Sequence, residues 1–233
     1  MLSEAITSSL RQIGELELIE DSSRRKVYES DGLTAIAQIP PLVGLPSSLQ
    51  ALQETLRVCH AHGVPMVARG AGTGLSGGAT PLADGLLIGL AKFNRILEID
   101  PVKMTARVEP GVTNLAISKA VASAGLFYAP DPSSQIACTI GGNVAENSGG
   151  VHCLKYGLTL HNVCGLKIML ADGEVLSLGG TGLWEDGLDL LALLHGSEGL
   201  LGLVIEVTVA LRPLPEAVTV LIAGFRDTNA AAN

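Results

Sequence analysis

Residues 64–82 read VPMVARGAGTGLSGGATPL. The apolar run over 64–68 predicts a buried strand, and a glycine-rich loop follows it directly. Glycine adopts positive φ at no steric cost and lets a ligand approach the bare backbone. Inward-pointing loop N–H groups bind anions such as phosphates, and ligand sites in α/β sheets lie just beyond strand ends. We therefore interpret the segment as a pyrophosphate-binding loop, the alternative being a flexible surface connection.

Three better-known motifs match the same loop only in part. Gly72, Gly74 and Gly77 fit G-x-G-x-x-G, but the dinucleotide fold needs a helix immediately afterwards, and Pro81 would break one. A Walker A loop needs a Lys-Ser/Thr pair, which does not follow these glycines. Residues 74–78 fit the G-x-S-x-G elbow of serine hydrolases, but the predicted strand ends too early and no helix follows. All three matches are interpreted as accidental.

Composition and charge exclude several classes of protein. The chain has 233 residues, 47% of them hydrophobic and 3% aromatic, so it can bury a mainly aliphatic core. A net charge of −8 argues against a nucleic-acid partner, because such binding depends on cationic contacts to phosphate. No run approaches the ~18 apolar residues of a membrane span, and the N-terminus lacks the apolar core of a signal peptide. We expect no transmembrane segment and a cytoplasmic location.

The cysteines and histidines give little sign of a metal site. The chain has four cysteines, none in a C-x-x-C pair, and a cytoplasmic location favours free thiols. One group has metal-ligand chemistry, namely His152, Cys153, His161 and Cys164. Its spacing fits no zinc pattern. We therefore expect no metal, and interpret these residues as buried thiols and loop histidines.

The N-terminal part of the chain predicts a βαβ unit. We expect an amphipathic helix over 1–13, an irregular polar segment over 22–34 and, because Pro40 and Pro41 interrupt an apolar run, an edge strand over 36–45. A helix over 49–62, capped at Ser48, should bury one stripe of side chains. That stripe consists of Leu49, Leu52, Leu56 and Cys59. The strand over 64–68 completes the unit.

The remainder predicts antiparallel hairpins. We expect a strand over 85–90, a hairpin formed by 96–99 and 105–108, and a helix over 113–124. The Asp172-Gly173 pair predicts a second hairpin between strands 163–170 and 175–178. A helix over 188–194, strands over 203–211 and 218–225, and a helix over 227–233 follow. A βαβ unit followed by antiparallel hairpins favours an α+β fold over a doubly wound sheet.

Two later stretches narrow the choice of ligand. Residues 128–150 read YAPDPSSQIACTIGGNVAENSGG, a polar and almost uncharged loop that suits a polyhydroxyl chain or a flat heterocycle. Polar loops of this length in compact chains are usually functional, although a structural Ω-loop is the alternative. Residues 196–202 read GSEGLLG, which would offer backbone hydrogen bonds to a planar edge or form an ordinary helix-to-strand turn.

A family resemblance rests on four stretches in this order: RGAGTGLSGGATP (69–81), APDPSSQIACTIGGNVAENSGG (129–150), VHCLKYGLTLHNV (151–163) and GSEGLLGLVIEVTVALRP (196–213). They resemble the FAD-binding domain of the vanillyl-alcohol oxidase/p-cresol methylhydroxylase type. Within that family they are most similar to the FAD-linked subunits of glycolate oxidases and to D-lactate dehydrogenases. The resemblance covers about residues 28–215.

The resemblance implies three sets of cofactor-binding residues. The FAD pyrophosphate would be held by Ala68, Arg69, Gly70, Ala71, Gly72, Thr73, Gly74 and Ser76. The isoalloxazine ring and ribityl chain would be lined by Pro130, Asp131, Pro132, Ser133, Ser134, Thr139, Gly141, Gly142 and Asn143. The adenosine part or the pyrimidine edge of the flavin would be held by Glu146, Asn147, Ser148, Gly149, Glu198, Gly199, Gly202 and Val204.

The resemblance also implies an activity and partners. The expected reaction is oxidation of a small 2-hydroxy acid, glycolate or D-lactate, with hydride passing from the substrate Cα to flavin N5. The glycine-rich loop contains no histidine for covalent attachment, so FAD is expected to bind non-covalently. Further flavin and iron–sulfur subunits are expected partners. No catalytic residue is assigned, since His152 and His161 are interpreted as structural. The alternative is a stand-alone flavin-binding subunit without its own substrate site.

Domain boundaries follow from the same resemblance. Residues 1–35 would form an N-terminal helix and lead-in, and 36–215 the FAD-binding domain, with subdomains of about 36–95 and 96–215. Residues 216–233 would begin a substrate (cap) domain that is otherwise missing, as in a truncated chain. The strand over 218–225 would then expose an unpaired edge, which predicts aggregation or dimerisation.

Overall fold

A computed structural model describes residues 2–180 and 187–232 of the chain. Its first sheet contains β1 (Leu16–Ile19), β2 (Leu42–Pro46), β3 (Met66–Arg69) and β4 (Leu86–Gly89), in the order β1-β2-β4-β3. β2, β4 and β3 are parallel, whereas β1 pairs antiparallel with β2. β4 therefore lies between the two strands of the predicted βαβ unit.

Three helices accompany the first sheet: α1 (Glu4–Arg11), α2 (Ser22–Arg25) and α3 (Leu49–Ala61). α3 begins where predicted, because the Ser48 hydroxyl accepts a hydrogen bond from the Ala51 N–H at 3.2 Å. Its buried stripe contains Leu52, Leu56 and Cys59 as predicted. Leu49 is 47% exposed, so its assignment to that stripe is wrong. It lies in the first turn, beyond the edge of the core.

The strand near Pro40 and Pro41 differs from its prediction as an edge strand. β2 starts at Leu42, after both prolines, and has neighbours on each side. Because the prolines precede the strand, they remove no ladder hydrogen bond. β1 was not predicted, since a four-residue strand is too short to show a clear alternation.

The second sheet has five antiparallel strands: β5 (Ile96–Asp100), β6 (Thr105–Val108), β8 (Val163–Met169), β9 (Val175–Gly179) and β10 (Leu203–Ala210). Their order is β5-β6-β10-β8-β9, and both predicted hairpins are present. A two-stranded ribbon pairs β7 (Leu126–Phe127) with β11 (Arg212–Pro213). The α+β fold class is confirmed.

The second half also contributes α4 (Asn114–Val121), α5 (Ile140–Glu146), α6 (Cys153–Tyr156) and α7 (Leu190–Leu194). The two halves share a core because β10 contacts both. A bulge interrupts its pairing with β8 between Val204 and Glu206. Leu203, before the bulge, and Ile205, within it, pack with the first half, whereas Val207, after it, packs inside the second. The shared core therefore places the loop after β3 beside the loop before β10.

The C-terminal prediction is correct only for the helix. Residues 218–225, predicted as a strand, have no strand assignment, and most of their apolar side chains are exposed. They have no pairing strand within the described residues, and an isolated strand gains no ladder hydrogen bonds. The helix α8 (Thr228–Ala232) follows, started by an Asp227 carboxylate that accepts from the Ala230 N–H at 2.9 Å.

We predict that Leu56→Ala lowers the free energy of unfolding by about 2–5 kcal/mol, because it leaves a cavity in the shared core. Leu49→Ala, on the same helix, should cost much less, since Leu49 is 47% exposed and Leu56 0%. Urea titration followed by circular dichroism measures both values. Equal losses for the two variants would contradict the described packing of α3.

Candidate functional site

A cavity of about 330 Å³ lies where the two halves meet. All three stretches singled out in the sequence contribute to its wall. Most of the predicted cofactor residues line it: Ala68, Arg69, Gly70, Ala71, Gly72, Thr73, Gly74, Pro132, Ser133, Ser134, Thr139, Gly141, Gly142, Asn143, Glu146, Ser148, Gly149, Glu198, Gly199, Gly202 and Val204. Segments far apart in sequence therefore converge on one site.

Four predicted residues lie outside the cavity wall: Ser76, Pro130, Asp131 and Asn147. Further lining residues were not predicted: Leu75, Gly78, Ala79, Leu90, Pro110, Cys138, Ala145, Leu194, Ser197 and Leu203. Several are direct neighbours of predicted residues in the same loops. Leu90 and Pro110 carry no ligand-binding chemistry in their side chains, so only the fold reveals them.

The glycine-rich loop leaves its backbone donors unused. From residue 71 to residue 78, no N–H group donates a hydrogen bond to any protein acceptor in the described part of the chain. The Ala79 N–H is the first to do so, to the Asp31 carboxylate at 3.4 Å. Residues 71–78 are half-buried or exposed, so these N–H groups are accessible to solvent or to a ligand. A run of unpaired N–H donors at a cavity wall has the chemistry needed to bind an anion.

Close packing against α5 requires glycine in this loop. A Cβ at Gly70 would overlap the Thr139 hydroxyl, and one at Gly74 would lie 3.0 Å from Glu146 Oε1. The Ser76 hydroxyl donates to Glu146 Oε2 at 2.7 Å. Ser76 therefore fastens the loop to α5 from outside the cavity wall.

A buried pair of asparagines supports the opposite wall. The Asn114 side-chain amide donates to the Pro130 carbonyl and to Asn143 Oδ1, both at 3.0 Å. Asn143 also donates to the Ser148 hydroxyl at 3.4 Å. Pro130 is thus a support for the wall rather than part of it. Asn114 was not predicted, because a single asparagine at the start of a helix reads as ordinary capping.

The loop before β10 is joined to α5 through main-chain hydrogen bonds. The Gly196 N–H donates to the Val144 carbonyl at 3.0 Å, and the Glu198 N–H donates to the Ala145 carbonyl at 2.9 Å. Glu198 has a φ of 54°, which is unusual for a residue with a side chain. Its carboxylate lies against Gly78, where a Cβ would be 2.8 Å from Glu198 Oε2 and 3.2 Å from Glu146 Oε1. Two carboxylates therefore border the loop.

Arg69 lines the cavity, but its side chain hydrogen-bonds to protein. Its Nη1 donates to the Ser30 carbonyl at 2.8 Å and to the Ala79 carbonyl at 3.4 Å, and the guanidinium lies 5.7 Å from the Tyr28 ring centre. Burial lowers the pKa of Arg69, and the nearby Asp31 carboxylate opposes that shift. These contacts are those of a residue that shapes the loop.

His152 and Asp131 form a pair next to the wall made by Pro132. His152 Nδ1 lies 3.1 Å from Asp131 Oδ2 and 3.2 Å from the Ala129 carbonyl, and its backbone N–H donates to Asp131 Oδ1 at 3.0 Å. The ring also makes edge contacts with two aromatic side chains. In the described residues, no group of three or more His, Cys, Asp or Glu side chains could hold a metal ion.

Comparison with known proteins identifies the fold family. A family described as FAD binding domain matches residues 40–179. The chain belongs to this family. The unpaired amides, the glycine packing and the uncharged part of the wall within 132–143 fit FAD, because its diphosphate needs donors and its ring system needs an uncharged surface. FAD is accordingly the cofactor of this domain, as the resemblance implied.

The relatives include flavin-linked oxidoreductases. The chain is 56% identical over 216 residues to "Glycolate oxidase subunit GlcD" of Escherichia coli (strain K12), covering 93% of this chain and 43% of that protein. It is 43% identical over 235 residues to the protein of the same name in Bacillus subtilis, covering 100% and 50%. It is 35% identical over 189 residues to "D-lactate dehydrogenase" of Anaerostipes hadrus, covering 81% and 40%.

The fold also resembles solved structures. One chain, of an alkyldihydroxyacetonephosphate synthase, superposes with a TM-score of 0.80 at 23% identity over 92% of this chain and 41% of its own length. At that identity the likeness shows the fold alone. The present chain spans about half the length of the curated relatives it matches.

We predict that Gly70→Ala weakens FAD binding by about tenfold, because overpacking against Thr139 would displace the loop from α5. Titration of the purified chain with FAD, followed by flavin fluorescence, measures the dissociation constant. Gly14→Ala is the matched control, since no atom lies within 4 Å of a Cβ at that position. Equal FAD affinity in the two variants would contradict the described packing.

We also predict opposite tautomers for two neutral histidines. Both partners of His152 Nδ1 are acceptors, so Nδ1 carries the proton and Nε2 does not. His161 Nδ1 accepts from the Leu158 N–H at 3.1 Å, so its proton is on Nε2. Nitrogen-15 NMR of the imidazole rings at alkaline pH distinguishes the two forms. The same tautomer at both residues would refute the assigned contacts.

Proposed function

We propose that the chain binds FAD non-covalently in this cavity and forms the flavin-binding part of an enzyme that oxidises 2-hydroxy acids. The observation that carries the proposal is the run of unpaired N–H groups over 71–78 beside the cavity. With a net charge of −8, the chain must bind an anionic ligand through local dipoles. Backbone donors supply that attraction without a cluster of cations.

The carboxylates beside the loop favour a dinucleotide over a bare phosphate ion. Glu146 and Glu198 both lie against Gly78. An isolated phosphate there would be repelled by two negative charges. A ligand that presents hydroxyl or amine donors next to its diphosphate would instead pair with these acceptors. FAD has donors of this kind in its ribose, adenine and ribityl groups.

Each predicted set of residues retains a place in this proposal. Backbone groups of 68–74 would hold the diphosphate. Residues 132–134 and 139–143 would line the isoalloxazine and ribityl parts, and 146–149 with 198–204 the adenosine part or the pyrimidine edge. Ser76, Pro130, Asp131 and Asn147 would act from behind the wall. The lining residues, all from the described part of the chain, include no histidine that could bind the flavin covalently.

The relatives support the substrate class. Proteins named glycolate oxidase subunit, D-lactate dehydrogenase and D-2-hydroxyglutarate dehydrogenase all match over most of this chain. When bound, FAD would supply a hydride acceptor for the carbon that carries the substrate hydroxyl, and the 2-oxo acid would be the product. The protein's part is to hold and orient the cofactor at the cavity wall.

Partners and location belong to the same proposal. Two of the relatives are named as subunits, which supports assembly with further subunits, and flavin and iron–sulfur proteins are the expected kinds. Among the described residues, no helix has the length and apolarity needed to cross a bilayer. A cytoplasmic location stays a prediction.

The test is an absorbance spectrum of the purified chain after incubation with FAD and removal of free cofactor. We expect bound flavin, released intact into the supernatant by acid precipitation. Under anaerobic conditions, glycolate or D-lactate should bleach the flavin band once the chain is joined to the substrate domain that the resemblance implies, whereas acetate, which lacks the hydroxyl, should not. Bleaching by neither hydroxy acid would favour the stand-alone flavin-binding subunit. A chain that retains no FAD would overturn the proposal.

A further inference from the structure

The segment Tyr28–Leu33 lies behind the glycine-rich loop and is connected to it through Arg69. The Arg69 guanidinium donates to the Ser30 carbonyl on one side and to the Ala79 carbonyl, at the far end of the loop, on the other. It lies beneath Gly72, whose φ of 68° turns the backbone over it and where a Cβ would overlap the guanidinium. The Tyr28 ring covers the cation. Arg69 thus occupies the inside of the loop.

Two further contacts join the same segment to the loop. Asp31 Oδ2 accepts from the Ala79 N–H at 3.4 Å. A Cβ at Gly32 would lie 2.6 Å from the Gly74 carbonyl oxygen and 2.9 Å from that of Thr73. Only a glycine at position 32 lets the two backbones come this close. The segment therefore contacts the middle of the loop as well as its end.

The burial of the two charged groups shows that this arrangement is part of the fold. Arg69 is 8% exposed and Asp31 is 5% exposed. Charged groups are buried to this extent only when hydrogen bonds and opposite charge compensate them. Both hydrogen bonds of the Arg69 guanidinium go to main-chain carbonyls. One of these hydrogen bonds holds the segment Tyr28–Leu33 and the other the end of the loop, and neither uses a loop N–H group.

We propose that Tyr28–Leu33 and Arg69 form a clamp that holds the glycine-rich loop in its FAD-binding shape, with Arg69 as a positioning residue and not a diphosphate ligand. The inference rests on the proposed function, that is, on FAD binding at this loop. The clamp segment precedes the family match, which begins at residue 40. Residues 28–33 contact the glycine-rich loop from outside the cavity wall.

The physical need for a clamp follows from the unpaired donors. A loop whose N–H groups over 71–78 make no hydrogen bonds to protein has little internal support. Ordering each backbone residue costs conformational entropy. If the loop were ordered only on binding, that cost would reduce the FAD affinity. A clamp that orders the loop beforehand removes the cost from the binding step.

A double-mutant cycle tests the clamp with the chain as it exists. Arg69→Met, Asp31→Asn and Gly32→Ala should each weaken FAD binding about tenfold, although two of these residues lie outside the cavity wall. The double variant Arg69→Met/Asp31→Asn should bind FAD only slightly more weakly than Arg69→Met alone. Both residues belong to the same clamp, so the second substitution removes little that the first has not already removed. Fluorescence titration with FAD gives the affinities, and thermal melts monitored by circular dichroism confirm folding. If Arg69→Met does not fold, Arg69→Lys and Tyr28→Leu enter the same cycle.

Salt dependence separates the clamp from a direct phosphate contact. If Arg69 paired with the diphosphate, the FAD affinity of the wild-type chain would fall more steeply with salt than that of Arg69→Met. The clamp predicts equal slopes. Arg24→Met and Gly14→Ala are controls, because Arg24 pairs with Glu17 at an exposed position and Gly14 has no close neighbours. Two outcomes would overturn the clamp: additive losses of FAD affinity in the double variant, or a dependence of FAD affinity on salt that is present in the wild-type chain and absent in Arg69→Met. A wild-type chain that does not bind FAD overturns the proposed function itself.

Discussion

The cavity depends on one constraint, which is that the backbone donors over 71–78 must stay unpaired while the rest of the chain is folded. Most backbone donors in a compact protein find partners. Here the loop is held by contacts that avoid those donors: carbonyls accept from Arg69, and Ser76 donates to Glu146. The protein thus stabilises the loop through its acceptors and side chains. Its donors remain for the ligand.

This constraint also accounts for the position of the site between the two sheets. The loop comes after β3 of the first sheet. The opposite wall of the cavity is formed by α5 and the start of β10 in the second half. Neither half encloses the cavity alone. The bulge in β10 lets Leu203 and Ile205 pack with the first half while Val207 packs within the second. The shared core therefore sets the width of the cavity.

Much of this arrangement could be predicted from the sequence, because the signals were local. The Ser48 cap, the Asp172-Gly173 turn and the glycine run after the β3 strand each act within a few residues. The non-local features could not be predicted. The Arg69 side chain has the charge expected of a phosphate ligand, and only the positions of Ser30 and Ala79 show where it donates. The prediction of a strand over 218–225 was wrong for a related reason, since an apolar alternation does not provide a pairing strand.

The role of Arg69 shows how a chain of net charge −8 can prepare a site for an anion. A cation that paired with the diphosphate would have to lose its hydration when the ligand arrived, and that cost would offset part of the attraction. A guanidinium already desolvated and hydrogen-bonded inside the loop incurs this cost on folding. Its hydrogen bond to the Ala79 carbonyl holds the end of the loop through an acceptor and leaves the N–H groups over 71–78 unpaired. Peptide dipoles can hold a diphosphate in this way beside two carboxylates, which a flexible surface lysine could not do with the same geometry.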